Sequence, residues 1–326
     1  LVTIGDRRHQ LVCVQQSADS PVTMSTTATQ AGLNERLNDY YELTKPREVM
    51  LIVFIAIVGM FLATPGLPPL EPFLLGTIGI ALCAASAAVI NPAVDRQLDA
   101  RMSRTAQRPI VQGHGGAGPA YTFAAVLGVL GAGLLIWRVN ARTAWLTLAS
   151  LVGYALVYTL YLKRATPQNI VIGGASGAAP PVLGWVAITG EIHAHALLLF
   201  LIIFVWTPPH FWALAIHRRD EYAKADIPML PVTHGIPFTR ESVLYYTILL
   251  FICTLLPYLT GMSDLIYLLS ALILGLVFLY HAVRLRFSED PKLPMKTFGY
   301  SIVYLFVLFT ALLVDHYIPV HPLGTL

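Results

Sequence analysis

Charged residues are scarce in this sequence: Asp, Glu, Lys and Arg make up 12% of its 326 residues, whereas 56% are hydrophobic. Soluble domains carry about 25% charged residues, so this composition excludes an ordinary soluble domain. The three cysteines, Cys13, Cys83 and Cys253, have no metal or redox spacing. There is no Gly-rich phosphate loop and no HExxH motif, and the basic residues form no separate domain suited to nucleic acid. These absences point to a membrane protein that binds no nucleic acid.

Nine apolar segments of helical length predict an all-α, polytopic membrane bundle of nine transmembrane helices. They cover approximately residues 49–64, 73–90, 121–139, 144–162, 170–188, 196–216, 243–260, 265–283 and 298–318. The polar residues 1–38 are expected to form a disordered N-terminal tail, and residues 39–326 one membrane domain. Proline pairs at 180–181 and 208–209 predict interruptions in the fifth and sixth segments.

The distribution of Lys and Arg predicts the orientation in the membrane. With a cytoplasmic N-terminus, the inward loops carry sixteen of the 21 Lys and Arg residues, and the outward loops carry only Arg138 and Arg142. Positive residues are retained on the cytoplasmic side, so we expect a multi-pass protein of the bacterial inner membrane with its N-terminus in the cytoplasm. The longest loops are also cytoplasmic.

A row of polar residues follows the second segment. Asn91, Asp95 and Asp99 recur every four residues, so on a helix they share one face. Oxygen ligands of this kind suit Mg²⁺. The alternative is a solvated, basic helix end beside a membrane segment, and the spacing alone leaves both interpretations open.

Basic side chains around this row suit phosphate oxygens. The candidates that could bind a diphosphate are Lys45, Arg47, Arg96, Arg104, Arg108, Lys163 and Arg164. Lys163 and Arg164 could also stabilise a departing diphosphate. Ordinary anchoring by positive residues at the cytoplasmic side is the alternative for Lys45, Arg47, Lys163 and Arg164.

A second acidic cluster lies on the same predicted membrane face. Asp220 and Asp226 are its candidate metal ligands, although Asp220 and Lys224 also have the spacing of a simple ion pair on a helix surface. His210 lies among aromatic residues inside the sixth segment. It is either a packed core histidine or a haem-binding residue that faces a ligand pocket.

Several motifs together resemble a known family. The stretch from Asn91 to Pro109, NPAVDRQLDARMSRTAQRP, resembles the N-x-x-x-D-x-x-x-D signature of the UbiA-type intramembrane prenyltransferases. Within that superfamily it is similar to the protohaem IX farnesyltransferases, or haem O synthases. Further stretches agree with them in order and spacing: TKPR, YTLYLKRATPQNIVIGG, TPPHFWALA and DEYAKADIPMLPV.

The resemblance implies a nine-helix bundle with a central cavity open to the cytoplasmic side. It implies transfer of a farnesyl group from farnesyl diphosphate to haem b, which is a substrate rather than a cofactor, with water addition to give haem O. Haem A synthase or a terminal oxidase would use the product. Asn91, Asp95 and Asp99 would hold Mg²⁺ and the diphosphate and, with Lys163, form the catalytic set.

The sequence departs from the family pattern at Pro92, at Lys224 and at Gln97, which stands where the family often has another acid. Pro92 offers the alternative that Asn91 caps a restarted helix and turns away from the carboxylates. Lys224 interrupts the second acidic motif, which leaves open whether Asp220 or Asp226 binds metal. Two other functions remain: a UbiA-type enzyme that prenylates an aromatic quinone precursor, and a polytopic transporter.

Overall fold

The computed structural model describes Gly32, residues 37–96 and residues 117–318, and every regular element within these ranges is a helix. Two short helices, Arg219–Lys224 and Leu230–Thr233, precede the seventh long helix. The long helices of the described residues are α1 Pro46–Leu62, α2 Leu70–Val94, α3 Ala117–Arg138, α4 Ala141–Ala165, α5 Asn169–Thr189, α6 Ala194–His217, α7 Gly235–Leu259, α8 Leu265–Phe287 and α9 Leu293–Tyr317. The predicted all-α class is confirmed.

Eight of these helices, α2 to α9, are long and apolar enough to cross a membrane, counted over the described residues. Helix α1 has 17 residues, which is the lower limit for crossing a bilayer core. A crossing by α1, and with it the count of nine, therefore stays a prediction. Large apolar side chains cover the outer surface, for example Trp137 and Phe287. Such a surface is expected against lipid.

The internal contacts of the chain divide it into Leu1–Asn38 and Asp39–Leu326. Most of the first unit lies outside the described residues, so its assignment as a disordered tail stays a prediction. In the second unit each long helix packs against the next, and α9 packs against α1, so the helices form a closed ring. Six of the eight connections have at most seven residues, which makes the helices they join antiparallel. Helices α2 and α3 also run antiparallel, since Ser86 bonds Ala124 while the earlier Cys83 lies near the later Gly128. Helices α2, α4, α6 and α8 all end on one side of the bundle, which we call the site face.

The proline pairs behave differently from each other. Ala179, directly before Pro180, separates α5 into Asn169–Ala178 and Pro180–Thr189, as predicted. Helix α6 instead continues through Pro208 and Pro209, so the predicted interruption there is wrong. Both prolines of α6 are buried, and tertiary packing holds the helix although each proline removes one backbone hydrogen bond.

Glycines allow α1 and α5 to approach each other at the backbone. A Cβ atom on Gly184 of α5 would lie 1.9 Å from the Ala56 carbonyl oxygen of α1. A Cβ atom on Gly59 of α1 would lie 2.3 Å from the Pro181 carbonyl oxygen of α5. Small residues permit this approach, which is typical of packed membrane helices.

At the face opposite the site face, side chains near the end of α9 form hydrogen bonds to neighbouring helices. The buried Asp315 carboxylate accepts hydrogen bonds from the backbone N–H groups of Asp264 and Tyr267 (3.1 Å for Tyr267). It therefore caps the N-terminus of α8 from another helix. The His316 Nε2 atom lies 2.9 Å from the Thr64 carbonyl oxygen, which connects α9 to the end of α1.

Candidate functional site

Asp95 is the buried acid of the site face. It is fully buried at the C-terminus of α2, and its backbone N–H donates to the Asn91 carbonyl oxygen. Its side chain stands where the helix dipole leaves partial negative charge, so cations are favoured there. An ionised carboxylate in such a place needs charged or hydrogen-bonding partners.

Asn91 connects Asp95 to neighbouring helices. Helix α2 continues through Pro92, so Asn91 is inside the helix, and the alternative that it caps a restarted helix is wrong. Its Nδ2 atom lies 3.5 Å from Asp95 Oδ2 and 3.3 Å from Thr159 Oγ1 of α4. The side chain of Asn91 thus points towards the carboxylate of Asp95, as the four-residue spacing predicts.

Three basic side chains converge on this pair. The Lys163 ammonium donates to Asp95 Oδ2, and a guanidinium nitrogen of Arg164 lies 3.7 Å from Asp95 Oδ1. Lys45 Nζ donates to Asn91 Oδ1 over 2.9 Å. Lys45 has a φ of 50° directly before Pro46, a strained conformation for a non-glycine residue. Strain of this kind is often retained where a side chain must be aimed at a functional group.

A π-helix positions the α4 part of the site. Residues Gly153–Leu162 form this element, and the Lys163 backbone N–H donates to the Tyr158 carbonyl oxygen five residues earlier. This five-residue repeat places Tyr158 and Lys163 on one side of α4. Tyr158 stacks on Tyr154 with ring centroids 5.5 Å apart, and Asp95 is among the polar groups around it.

Gly173 of α5 makes room for this tyrosine. A Cβ atom at Gly173 would lie 2.2 Å from the Tyr158 ring. Tyr158 and Thr159 belong to the YTLYLKR stretch but were not predicted as site residues, and neither was Tyr154, which precedes that stretch. The motif therefore carried a signal for Tyr158 and Thr159, whereas the π-helix that gives these residues a common direction has no sequence signature.

The remaining candidates are not assembled around Asp95 in the described part of the chain. Asp99, Arg104 and Arg108 lie outside the described residues. Arg47 and Arg96 are exposed, and no contact within the described ranges joins either to Asp95. Their predicted roles stay predictions.

The second acidic cluster is exposed. Asp220 lies 3.6 Å from Arg219, and Asp226 adopts a φ of 54° at the turn after Arg219–Lys224. Among the residues that the structure describes, no group of three or more Asp, Glu, His or Cys side chains could hold a metal ion. Asp220 and Asp226 therefore do not complete a metal cage with Asp95 there, and their role as ligands stays a prediction.

The residues at Asp95 nevertheless fit a divalent cation. Asp95 Oδ1 is buried and accepts no hydrogen bond, although the Arg164 guanidinium is 3.7 Å away. Mg²⁺ prefers carboxylate and amide oxygens, which Asp95 and Asn91 both carry, although here Asn91 turns its Nδ2 atom to Asp95 and its Oδ1 atom to Lys45. Lys45 donates a hydrogen bond to Asn91 and Lys163 donates one to Asp95, so both lysines place positive charge where a metal ion would supply it.

His210 is a second polar position, deeper along α6. It is buried between the rings of Trp206, at 4.2 Å, and Phe298, at 4.5 Å. Its Nδ1 atom lies 2.6 Å from Ser301 Oγ of α9. The sequence singled out His210, but Ser301 was missed because a lone serine in an apolar segment gives no signal.

The structure also contains a mostly apolar cavity of about 320 Å³ among α4, α5 and α6. Leu146, Ser150, Ser176, Val182 and Phe200 are among its lining residues, and none of the Asp95 group borders it. This cavity is not the predicted central one, which stays a prediction together with its cytoplasmic opening.

Comparisons with known proteins show that this chain is similar to prenyltransferases. The model of the UbiA prenyltransferase family matches residues 52–313. A protein of Alcanivorax borkumensis named protoheme IX farnesyltransferase is 71% identical over 286 residues, which cover 87% of this chain and 94% of the relative. A protein of the same name from Methylococcus capsulatus is 60% identical over 279 residues, which cover 86% of this chain and 94% of the relative.

Solved structures agree on the fold. A digeranylgeranylglyceryl phosphate synthase has a TM-score of 0.74 at 20% identity, over 87% of this chain and 99% of that one. A UbiA homologue from Archaeoglobus fulgidus, solved with DMAPP and Mg²⁺, has a TM-score of 0.60 at 17% identity, over 86% of this chain and 100% of that one. The chain is thus an integral, multi-pass membrane protein with the fold of these structures.

Proposed function

The chain belongs to the UbiA prenyltransferase family, and we propose that it converts haem b to haem O by transferring a farnesyl group from farnesyl diphosphate to a haem vinyl group, with water addition. The observation that carries this proposal is the 71% identity to a protoheme IX farnesyltransferase over 94% of that protein's length. The buried carboxylate of Asp95, ringed by basic side chains, supports diphosphate chemistry at the site face.

Acidic and amide side chains at the site face are the proposed ligands of Mg²⁺. Asp95 and Asn91, together with Asp99, hold Mg²⁺, and Asp220 and Asp226 are the candidates for a second acidic arm. When bound, Mg²⁺ supplies positive charge to the diphosphate. The structure of the Archaeoglobus fulgidus homologue with DMAPP and Mg²⁺ supports a divalent metal in this family.

Basic side chains hold the diphosphate and stabilise it as it leaves. The C–O bond of farnesyl diphosphate breaks, and its electron pair leaves with the diphosphate. Lys163 and Arg164 donate hydrogen bonds to the departing oxygens because charge grows there in the transition state. Lys45, Arg47, Arg96, Arg104 and Arg108 complete the positive surroundings.

The remaining steps need no protein nucleophile, but water must be excluded until the allylic cation has reacted with haem. The Tyr158 ring, which has Asp95 among its polar neighbours and stacks on Tyr154, stabilises the allylic cation through its face. The vinyl π electrons of haem attack the farnesyl carbon, water captures the resulting cation, and a proton is released to give the hydroxyethylfarnesyl group. His210 holds the haem.

The partners and location follow from the same proposal. Farnesyl diphosphate and haem b are the substrates, the lipid bilayer surrounds the bundle, and haem A synthase or a terminal oxidase receives the product. The protein lies in the bacterial inner membrane with its N-terminus in the cytoplasm, because the basic residues concentrate in the corresponding loops.

Product analysis tests the proposal. Membranes containing the wild type, Asp95→Ala or Glu71→Ala are supplied with farnesyl diphosphate, haem b and Mg²⁺, and farnesylated haem is measured by mass spectrometry. Glu71 forms an exposed ion pair with Arg138 at the other end of α2, so its variant controls for loss of an acid on the same helix.

Product is expected from the wild type and from Glu71→Ala, and none from Asp95→Ala. Prenylation of an aromatic acid instead of haem would assign the chain to the quinone branch. Absence of prenyl transfer to any acceptor, from stably inserted protein, would overturn the enzyme proposal in favour of a transporter.

A further inference from the structure

Ser301 of α9 makes hydrogen bonds to His210 and to Trp206 and Phe298, the two aromatic residues that stack on the His210 ring. Its backbone carbonyl oxygen accepts a hydrogen bond from Trp206 Nε1 at 2.9 Å. Its hydroxyl donates to the Phe298 carbonyl oxygen at 2.6 Å, and the same Oγ lies 2.6 Å from His210 Nδ1. One residue therefore contacts the histidine and anchors both residues that sandwich its ring.

The hydrogen bonds of Ser301 determine which nitrogen of His210 carries the proton. A serine hydroxyl has one hydrogen, and a carbonyl oxygen can only accept. Because the Ser301 hydrogen points to the Phe298 carbonyl, its Oγ must accept from His210 Nδ1–H. A neutral imidazole has a single N–H, so Nε2 of His210 is an unprotonated acceptor.

The surroundings favour this neutral, fixed form. His210 is 7% exposed between the rings of Trp206 and Phe298, which are tilted 19° and 26° from its plane. An imidazolium in this apolar position would be costly without a carboxylate partner, and within the described residues His210 has none. Nε2 makes no hydrogen bond in the described part of the chain.

We propose that Ser301 is a positioning residue that holds His210 with Nε2 directed to the iron of haem. This inference rests on the proposed function, since it assumes that haem is the acceptor. A histidine that binds a metal usually donates its other N–H to an oxygen, which fixes the ring orientation and raises its basicity. An imidazole nitrogen is also a common axial ligand of haem iron.

The position along α6 is suited to this role. His210 lies seven residues before the end of α6 at His217, which is about 10 Å along the helix axis from the site face. Iron ligated there would fix the depth of the haem in the membrane. The vinyl group would then be held at a constant distance from the diphosphate site, as an attack on a short-lived cation requires.

Resonance Raman spectroscopy of the full-length protein with ferrous haem b tests the inference. The variants are His210→Ala, Ser301→Ala and the control Ser270→Ala. The control removes a hydroxyl of α8 whose one hydrogen bond among the described residues goes to the Ile266 carbonyl oxygen. The wild type is expected to show an iron–histidine stretching band, which His210→Ala loses. Ser301→Ala should shift the band to lower frequency and weaken haem binding roughly 10–100-fold. Ser270→Ala should match the wild type.

Two groups of outcomes distinguish this inference from the proposed function. Farnesylated haem without an iron–histidine band in the wild type, or with a band that persists in His210→Ala or stays unshifted in Ser301→Ala, would overturn the role of Ser301 and leave the enzyme assignment standing. Absence of both haem binding and farnesyl transfer in the wild type would overturn both.

Discussion

Replacing Lys163 with Met is the most informative perturbation of the site. The Lys163 side chain is 15% exposed and the Asp95 side chain is 0% exposed, so their ion pair is almost entirely shielded from water. Methionine has a similar length and no charge. Lys163→Met therefore leaves the Asp95 carboxylate with the Arg164 guanidinium at 3.7 Å and the Asn91 amide at 3.5 Å.

The expected loss of stability follows from this burial. Removing one partner of a buried ion pair costs about 3–5 kcal/mol, because the remaining charge stays buried without compensation. Arg164 retains part of the compensation, so we expect a loss near 3 kcal/mol for metal-free protein. At about 2 °C per kcal/mol for a chain of this size, the midpoint of thermal unfolding should fall by roughly 6 °C.

Divalent metal should reverse this loss. A cation that binds at Asp95 can replace the missing ammonium charge, and saturation at 100 times its Kd adds about 2.7 kcal/mol. The wild type should gain less from Mg²⁺ because Lys163 must first give up the carboxylate. Thermal unfolding in detergent, with Mg²⁺ and with a chelator, measures both effects.

Two variants control this experiment. Lys292→Met removes an exposed lysine near the start of α9 and should leave both the midpoint and its response to Mg²⁺ unchanged. The double variant Lys163→Met with Asp95→Asn should lose the extra response to Mg²⁺. An equal Mg²⁺ response in the wild type and Lys163→Met would refute the reasoning that a cation replaces the lysine at Asp95.

Two further predictions concern packing and capping away from the site. Gly184→Ala should destabilise the bundle by about 3 kcal/mol, because the added methyl group meets the Ala56 carbonyl oxygen at 1.9 Å; Gly177→Ala in the same helix has open space and should not. Equal unfolding midpoints for these variants would contradict the close approach of α1 and α5. Asp315→Asn should cost about 2 kcal/mol, since an amide can accept only one of the two backbone N–H groups while its own NH₂ faces the other. The control is Asp290→Asn, because the half-buried Asp290 accepts a single backbone N–H, from Lys292, which an amide oxygen can still accept. A comparable midpoint of thermal unfolding for the two variants would show that the α8 cap does not depend on the charge.

The contact between Asn91 and Asp95 was predictable because it is local. A four-residue spacing brings two side chains together wherever the helix continues, and α2 continues to Val94 in spite of Pro92. The involvement of Lys45 and Lys163 was predictable as charge at the same membrane face, but their individual partners were not. Those partners depend on the left-handed conformation of Lys45 and on the π-helix in α4.

The features that escaped prediction join helices distant in sequence. Ser301 and His210 are 91 residues apart, and Asp315 caps a helix whose N-cap residue, Asp264, lies 51 residues earlier. A single polar residue in an apolar segment gives no indication of its partner before the helices are packed. The helix through Pro208 and Pro209 shows the same limit, since burial overrides a local preference for interruption.

The pairing of two cations with one buried carboxylate gives the resting site a surplus of positive charge. Lys163 is the closer cation to the Asp95 carboxylate, so the half-exposed Arg164, at 3.7 Å, is available to an anion. When a diphosphate binds, Lys163 can exchange the Asp95 carboxylate for diphosphate oxygens, provided that another cation takes its place at Asp95. This exchange keeps every charge compensated, so it requires little energy in a site of low dielectric. In the wild type, this exchange of partners by Lys163 requires metal and diphosphate to bind together. Lys163→Met has no lysine to exchange, so its Mg²⁺ response measured without diphosphate reports metal binding separately from diphosphate binding.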